Sequence, residues 1–457
     1  MKSLRLFLSL PLIAALAACG GGKGSPAPAP TNFSMTAQDS QFKMTWDAVA
    51  GVEYWVFCDP NQTTIDSHTS NHPPRIYYRG IYASGSQVTY YATGLTNGTQ
   101  YACTVNGRFD GGPGGADATP QQGTPGYGGT WSSGTSPAWT GMTLRSVAYG
   151  LPSGQSLTSD QFVAVGTGGQ IAVSTAVDAE ANVSWTAPQQ PLSNVTSSLS
   201  AVTFYPAGNR FVAAATDGKV VYATNAFAWS YAGAMALAAG ESVNALASGS
   251  ASLVAVGDAG LIRSSADGIT WSASNASVPA GYASIGLRSV AYAASVTGTN
   301  GLTAPYWIAV GDSGSILVSL DNGLTWVAAS SGVTQTLRGV AVLPVVNTST
   351  NVTTYILAAV GDAGSIVYST DNGATWQVPS SVLPSPGAFV ALSAGKGQFM
   401  AVDASGRAYT STDGASWSGS ASGISTPAAA IRYTPSVAGV SNAWMVFDAA
   451  GNQRIAK

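Results

Sequence analysis

The feature that most constrains this sequence is an internal repeat of about 41–55 residues in its C-terminal part. The clearest copies are LVAVGDAGLIRSSADGITW at 253–271, WIAVGDSGSILVSLDNGLTW at 307–326 and LAAVGDAGSIVYSTDNGATW at 357–376. Weaker copies begin at Phe162, Phe211 and Phe399. Apolar runs separated by Gly-rich turns predict short antiparallel strands. A chain that repeats in this way folds as an array of similar units, each packed on its neighbours.

Each unit begins with a short apolar strand and ends in a Trp. The strands begin at 144, 199, 243, 287, 337 and 389, and the closing Trp residues stand at 185, 229, 271, 326, 376 and 417. A period in the forties with four strands per unit is typical of a β-propeller blade. The interpretation that follows is an all-β fold.

The two ends of the repeat region look like complementary halves of one more unit. Residues 429–435 and 444–457 supply three strands without a closing Trp, whereas Gly129-Thr130-Trp131 matches the end of a unit with nothing before it. We therefore predict a seven-bladed propeller over 123–457, in which residues near 130–134 complete the C-terminal blade and leave no free sheet edge. Six blades with loose ends is the alternative.

Composition excludes several other classes of protein. Charged residues make up 9% of the 457 residues, with 54 Gly and a formal net charge of −3, whereas about a quarter of an average chain is charged. A disordered chain and a long helical protein are both normally rich in charge. With only six Lys, the sequence also lacks the basic footprint of a nucleic-acid-binding protein.

The N-terminus has the form of a secretory signal. Lys2 and Arg5 precede an apolar stretch over 6–17 that is shorter than a membrane-spanning helix. The order Leu16-Ala17-Ala18-Cys19 resembles the lipobox of bacterial lipoproteins. That resemblance implies a signal peptide over 1–18, lipidation of Cys19 and, because Gly follows the Cys, an outer-membrane lipoprotein that faces the periplasm or the cell surface. An ordinary cleaved signal is the alternative. Residues 19–31, rich in Gly and then in Pro and Ala, are predicted to be a tether.

Once Cys19 is set aside, Cys58 and Cys103 remain in a chain predicted to be exported. An oxidising compartment and an even count favour one disulfide between them.

Residues 32–122 are predicted to fold as a small antiparallel sandwich. Trp46 on an early strand, GVEYWV at 51–56 and LTNGTQY at 95–101 resemble a fibronectin type III domain, in which a Tyr hydroxyl ties a loop to the next strand. The resemblance implies a spacer or adhesion module. His68 and His72 lie in one Pro-ended loop, and two His without a third ligand do not predict a metal site.

Four repeat units carry a second motif, Ser-x-Asp followed by Gly and a closing Thr-Trp or Ser-Trp. It resembles the Asp-box of sialidases and other propellers, and its recurrence predicts a structural role in a tight turn. The carboxylates concerned are those of Asp267, Asp321, Asp371 and Asp413. Together with the V-G-D-x-G-x-I strands, the motif makes the region similar to the photosystem II assembly-factor propellers, which implies a protein-binding scaffold.

Arg145, Arg288 and Arg338 occupy the same place, the second residue of the first strand, in three of the units. If these strands begin at one rim of the propeller, the three guanidinium groups gather at the mouth of its channel and bind an anionic group. The other interpretation is structural pairing with Asp258, Asp312 and Asp362, which follow the next strand. Arg145 has Thr167 in place of that Asp, which makes Arg145 the best single candidate for binding.

Three functions remain open at this stage. The leading hypothesis is a lipid-anchored envelope or surface scaffold that binds a protein or glycan partner through the propeller, without catalysis, metal or cofactor. A sialidase-like glycoside hydrolase is the second. The arginine triad and the Tyr-Glu pair of that family cannot be identified in the sequence, and the only Glu residues in the predicted propeller are Glu180 and Glu241. A structural surface protein without a defined ligand is the third.

Overall fold

The computed structural model describes most of the chain and divides it into two units. The described residues are 24–38, 41–68, 75–83, 85–96, 99–126, 131–133, 139, 141–150, 152, 161–177, 183–187, 189–272, 277–297, 303–347, 352–380, 387–422, 424, 428–434 and 443–456. The N-terminal unit comprises residues 1–36 and 40–124, and the C-terminal unit residues 37–39 and 125–457. Within the described ranges the regular elements are β-strands and four 3₁₀ turns of three residues. No helix among them is long and apolar enough to cross a membrane.

The N-terminal unit contains two antiparallel sheets. One has the order β1-β2-β5 and the other β4-β3-β6-β7. Their strands are β1 (Ser34–Gln38, of which residues 34–36 belong to this unit), β2 (Gln41–Asp47), β3 (Val52–Pro60), β4 (Ile76–Tyr82), β5 (Gln87–Thr93), β6 (Tyr101–Phe109) and β7 (Gln121–Gly123). Strict alternation along β2 buries Phe42, Met44 and Trp46 on one face of the first sheet, which is the pattern of a strand with one buried side.

Strands β3 and β6 are joined covalently as well as by hydrogen bonds. Cys58 and Cys103 stand opposite each other in the β3–β6 register, both fully buried, and form the predicted disulfide. The predicted loop tie is also present, because the Tyr101 hydroxyl accepts a hydrogen bond from the Thr96 amide at 3.0 Å.

Part of the segment predicted to be a free tether is instead attached to β6. The Phe109 amide donates to the Ser25 carbonyl at 2.8 Å, and the Ala27 amide donates to the Gly107 carbonyl at 3.1 Å. These bonds use the length of the β6 edge that β7 leaves unpaired, so backbone pairing overrides the flexibility expected of a Pro- and Ala-rich run. Residues 1–23, with the predicted signal peptide and Cys19, lie outside the described residues.

The C-terminal unit contains seven antiparallel sheets among the described residues. The first sheet contains β9 (Leu144–Gly150), β10 (Gln161–Gly166), β11 (Ile171–Val177) and β12 (Val183–Trp185), and the second contains β13 (Leu199–Tyr205), β14 (Arg210–Ala215), β15 (Lys219–Ala223) and β16 (Ser230–Ala234). The third sheet contains β17 (Val243–Ser248), β18 (Leu253–Gly257) and β19 (Ile262–Ser265). The fourth contains β20 (Leu287–Thr297), β21 (Thr303–Gly311), β22 (Ile316–Ser319) and β23 (Val327–Ala329). The next two are built from β24 (Leu337–Asn347), β25 (Val352–Gly361) and β26 (Ile366–Ser369), and from β27 (Phe389–Gly395), β28 (Gln398–Asp403), β29 (Arg407–Ser411) and β30 (Ser418–Ala421). The 3₁₀ turns are Thr167–Gly169, Asp258–Gly260, Asp312–Gly314 and Asp362–Gly364.

The seventh sheet joins the two ends of the C-terminal unit. Its order is β31-β32-β33-β8, from β31 (Ala428–Thr434), β32 (Ala443–Asp448), β33 (Gln453–Ala456) and β8 (Trp131–Ser133). Strand β8 pairs with β33, with Trp131 opposite Ala456. Residues 131–133 therefore complete the C-terminal sheet as the sequence predicts, while residues 130 and 134 lie outside the described residues.

The first strands of successive sheets pack side by side. Strand β9 contacts β13, and further contacts lead through β17, β20, β24 and β27 to β31, which in turn contacts β9. The second strand of a sheet is consequently buried on both faces: every residue of β10, β18, β28 and β32 is buried. The fold is all-β and propeller-like, and its doubly covered strands account for the scarcity of charge.

Candidate functional site

The second residue of each first strand in the C-terminal unit lies at a break in the strand register. The pairing of β20 with β21 shows the pattern, because Leu287 is opposite Gly311 and Ser289 is opposite Val310, which leaves Arg288 without a partner. We call these seven positions the slot. The slot residues are Arg145, Ser200, Asn244, Arg288, Arg338, Val390 and Ala429. A residue left unpaired by such a bulge has its side chain re-aimed, which is a common device beside functional sites.

The seven first strands line a central cavity of about 440 Å³. Its lining consists mainly of Ala, Val, Leu and Ser side chains, and the charged residues among its described lining are Arg145, Arg338 and Arg432. No carboxylate belongs to that lining. A second cavity of about 450 Å³ is lined by Arg288, Arg338 and Asp362 together with three neutral residues. The slot therefore places Arg side chains where a ligand could enter between the sheets.

Arg288 is held between two carboxylates. It donates to both oxygens of Asp312, at 2.9 and 2.6 Å, and its remaining terminal nitrogen donates to Asp258 at 2.8 Å. Hydrogen bonding from Arg288 lowers the pKa of the Asp312 carboxyl, and the same bond raises the pKa of Arg288. The structural pairing considered from the sequence is thus present at this position.

Arg338 makes the corresponding pair in the next sheet. Its Nε and Nη2 donate to the two carboxylate oxygens of Asp362, the second at 3.0 Å. The Arg338 side chain is 44% exposed and the Asp362 side chain 33% exposed. An ion pair with this exposure contributes about 0–1 kcal/mol to stability, so a competing carboxylate can replace it at small cost.

Arg145 has no acidic partner of this kind. Thr167 stands where the other sheets have Asp, and its hydroxyl accepts a hydrogen bond from the Thr143 amide at 2.9 Å. The Arg145 side chain is exposed and lines the central cavity. Within the described part of the chain its guanidinium makes no hydrogen bond or ion pair. Of the three predicted Arg residues, Arg145 alone is therefore directly available to an incoming anion.

A fourth Arg reaches the same cavity and was missed by the sequence interpretation. Arg432 is the fifth residue of β31, a position that holds Ala, Ser or Thr in the other six first strands. Its Nε donates to the Val147 carbonyl of the neighbouring strand β9, and burial lowers the pKa of its guanidinium. The sequence feature that could have identified Arg432 is a large cationic residue at a position that holds a small residue in the other six first strands.

The Ser-x-Asp turns are self-contained. In the turn of Asp321, one carboxylate oxygen accepts the amide of Thr325 at 2.9 Å and the hydroxyl of Ser319 at 2.8 Å, while Gly323 adopts a positive φ of 83°. Burial alone would raise the pKa of Asp321, but the bonds from Thr325 and Ser319 outweigh burial, and the pKa lies below its ordinary value. Each of the four carboxylates accepts the hydroxyl of its own Ser and at least one backbone amide of its own turn. They are Asp267, Asp321, Asp371 and Asp413.

The Glu considered for a hydrolase is occupied by a buried ion pair. Glu241 accepts a hydrogen bond from Arg263 at 3.1 Å, and both side chains are only 4% exposed. The same carboxylate oxygen accepts the Ala238 amide at 2.7 Å. This arrangement gives Glu241 a structural role, and Glu180 lies outside the described residues.

The described residues include one group of possible metal ligands, which lies in the N-terminal unit. Donor atoms of Asp66, His68 and Asp117 lie within 4.8 Å of one another. The two Asp117 oxygens already accept the hydroxyl of Ser67 at 2.5 Å and its amide at 2.7 Å. The guanidinium of Arg75 binds the Asp66 carbonyl at 3.0 Å and brings a positive charge to the group. These contacts fit a hydrogen-bonded turn; His72 lies outside the described residues.

Comparison with known proteins yields structural likeness only. No protein-family model matches the chain, and no curated protein sequence matches it. Among solved structures, YCF48 bound to D1 peptide is 14% identical with a TM-score of 0.48, over 71% of this chain and 96% of that one. YCF48 from Cyanidioschyzon merolae is 14% identical with a TM-score of 0.46, over 71% and 98%. Sqt1 of Saccharomyces cerevisiae is 11% identical with a TM-score of 0.44, over 69% and 95%. At these identities and TM-scores the likeness carries no argument about function.

Proposed function

We propose that the chain is a lipid-anchored scaffold of the bacterial envelope or surface. Its C-terminal unit, as a seven-bladed β-propeller, binds a protein or glycan partner at the mouth of the central cavity, and its N-terminal unit is a stalk of fibronectin type III type. The observation that carries the proposal is the slot, a bulged position that the seven first strands share and that holds Arg in three of them. Arg145 and Arg338 line the central cavity, and Arg288 lines the second cavity together with Arg338.

The electrostatics of the slot favour an acidic or phosphorylated group on the partner. Arg145 lacks an acidic partner among the described residues, and the pairs made by Arg288 and Arg338 are about one-third exposed or more. Charge-assisted bonds from Arg to an anionic group are about twice as strong as neutral hydrogen bonds. Displacing an exposed ion pair costs about 0–1 kcal/mol, so an anionic group of a partner can compete for Arg338 and can bind Arg145 without displacing an Asp.

The anchor and the outer-membrane address rest on the sequence of residues 1–20. A single acyl chain gives marginal membrane binding, whereas two or more hold a protein firmly. The order Leu16-Ala17-Ala18-Cys19 is the support for such a multiply acylated Cys.

The test is recovery of the partner from crosslinked native envelopes. Replacing Arg145, Arg288 and Arg338 together by Ala is expected to lower the recovery of specific partners at least about tenfold, since charge-assisted bonds are lost. A control variant replaces Arg79 and Arg210, which line neither cavity, and is expected to recover the partner normally. The anchor is tested by separating cells into a membrane pellet and a soluble fraction. The Cys19→Ser chain is expected to leave the membrane pellet. Unchanged recovery by the triple variant refutes the binding site, and a pelleted Cys19→Ser chain refutes the anchor.

A further inference from the structure

We propose that Arg432 and Arg145 form a carboxylate-binding site on the wall of the central cavity. The proposal rests on the proposed function, because it names the ligand chemistry of the same cavity. It adds a residue, Arg432, that does not belong to the slot.

The two Arg side chains belong to neighbouring strands. Strand β31 packs against β9, and the Arg432 Nε is tied to the Val147 carbonyl of β9. Arg145 lies two residues before Val147, which is about 7 Å along a strand. Both side chains line the cavity. A ligand group between them can therefore meet both guanidinium groups.

The charge of the cavity is uncompensated at this wall. Among the described residues three guanidinium groups and no carboxylate line the cavity, and one of the three, that of Arg338, is paired with Asp362. The terminal nitrogens of Arg432 make no hydrogen bond to any described residue, and its single bond is to a neutral carbonyl. A partly buried cation without an anion is unfavourable. An anion bound here removes that penalty as well as forming new bonds.

The remaining bonding capacity of Arg432 suits a carboxylate. With Nε occupied by Val147, the two terminal nitrogens present parallel N–H donors that match the two oxygens of a carboxylate. Beyond the Arg groups the lining includes partly exposed hydroxyl side chains, as at Ser146, Ser289 and Ser393. Such a lining suits a peptide that carries the carboxylate more than a free inorganic ion, because the backbone N–H and C=O groups of a peptide need hydrogen-bond partners. We therefore identify the ligand as a peptide carboxylate, from an acidic side chain or a chain end.

The test measures fluorescence anisotropy of short labelled peptides with the purified full chain. One peptide of small apolar residues ends in a free carboxylate, a second is amidated and neutral, and a third is amidated with one internal Glu. We expect the neutral peptide to bind at least about tenfold more weakly than one of the two carboxylate peptides, and that difference identifies the source of the carboxylate. Equal binding of all three peptides, or binding of none, overturns the proposal.

Variants assign the effect to Arg432. Arg432→Gln is expected to weaken binding of the carboxylate peptide at least about tenfold. Arg432→Lys is expected to weaken binding less, because Lys keeps the charge and loses the paired donors. Arg145→Gln is expected to weaken it as well. The control Arg210→Gln removes the same charge outside the cavity and is expected to leave binding unchanged. If Arg432→Gln melts at the wild-type temperature and binds normally, the proposal is wrong.

The outcome is separable from that of the proposed function. If the slot variant of Arg145, Arg288 and Arg338 loses its partner while Arg432→Gln binds peptides normally, only the carboxylate site fails. If the carboxylate peptide requires Arg432 while the slot variant recovers its partner in full, only the partner site fails.

Discussion

Replacing Cys58 and Cys103 together by Ser is expected to lower the free energy of unfolding of the N-terminal unit by about 4 kcal/mol. The two residues are 45 apart in sequence, and a covalent loop of that length removes many conformations from the unfolded chain. Both sulfur atoms lie in fully buried residues between β3 and β6, so the variant also places two hydroxyl groups in the core. A small unit of two sheets has little other stability to spare.

The readout is hydrogen exchange of the β3 and β6 amides, followed by mass spectrometry. Wild-type chain is compared with the double variant and with chain treated with a reductant, and the amides of β14 and β28 in the C-terminal unit serve as the internal control. Exchange should accelerate strongly in β3 and β6 and stay unchanged in the control strands. Protection in β3 and β6 that differs from wild type by less than about 1 kcal/mol would show that the disulfide contributes little to this unit.

Removing one member of the Arg263–Glu241 pair is expected to cost about 3–5 kcal/mol. Both side chains are 4% exposed, and Arg263 Nη2 also donates to the Ala236 carbonyl at 2.7 Å. Arg263→Ala therefore leaves a buried carboxylate without its cation and a carbonyl without its donor. The loss comes mainly from that stranded charge, since a well-paired buried salt bridge contributes little net stability.

A double variant separates these two contributions. Arg263→Met with Glu241→Gln removes both charges and keeps the volume, and it is expected to be less destabilised than Arg263→Ala. Urea denaturation followed by Trp fluorescence measures all three chains. An Arg263→Ala chain within about 1 kcal/mol of wild type would mean that water reaches Glu241 in solution.

The strand framework was predictable because its signals are local and repeated. Apolar runs such as those that begin at Leu144 and Leu287 recur once per unit, so a weak pattern in one copy is supported by a strong one in another. The pairing of residues 131–133 with β33 followed from the same logic, since two incomplete units can complete each other. The disulfide was predictable because Cys58 and Cys103 were the only remaining pair.

The residues of the site were only partly predictable. The shared place of Arg145, Arg288 and Arg338 is visible in the sequence, but the bulge that re-aims them is set by pairing with the second strand of each sheet. Arg432 occurs once, and its place beside Val147 depends on the packing of the last sheet against the first. The Arg263–Glu241 pair likewise joins residues 22 apart that no repeat connects. A contact that occurs once between two repeat units leaves no periodic pattern in the sequence.

Site-specific photo-crosslinking tests directly whether a partner binds at the slot. A photoreactive amino acid is placed at Val390 or Ala429, slot positions without charge, and for comparison at Val327, which is 59% exposed on the outer strand β23. We expect both slot positions to give the same partner adduct in native envelopes, and the adduct to disappear when Arg145, Arg288 and Arg338 are replaced by Ala. Adducts formed from Val327 and from neither slot position would contradict binding at the cavity mouth.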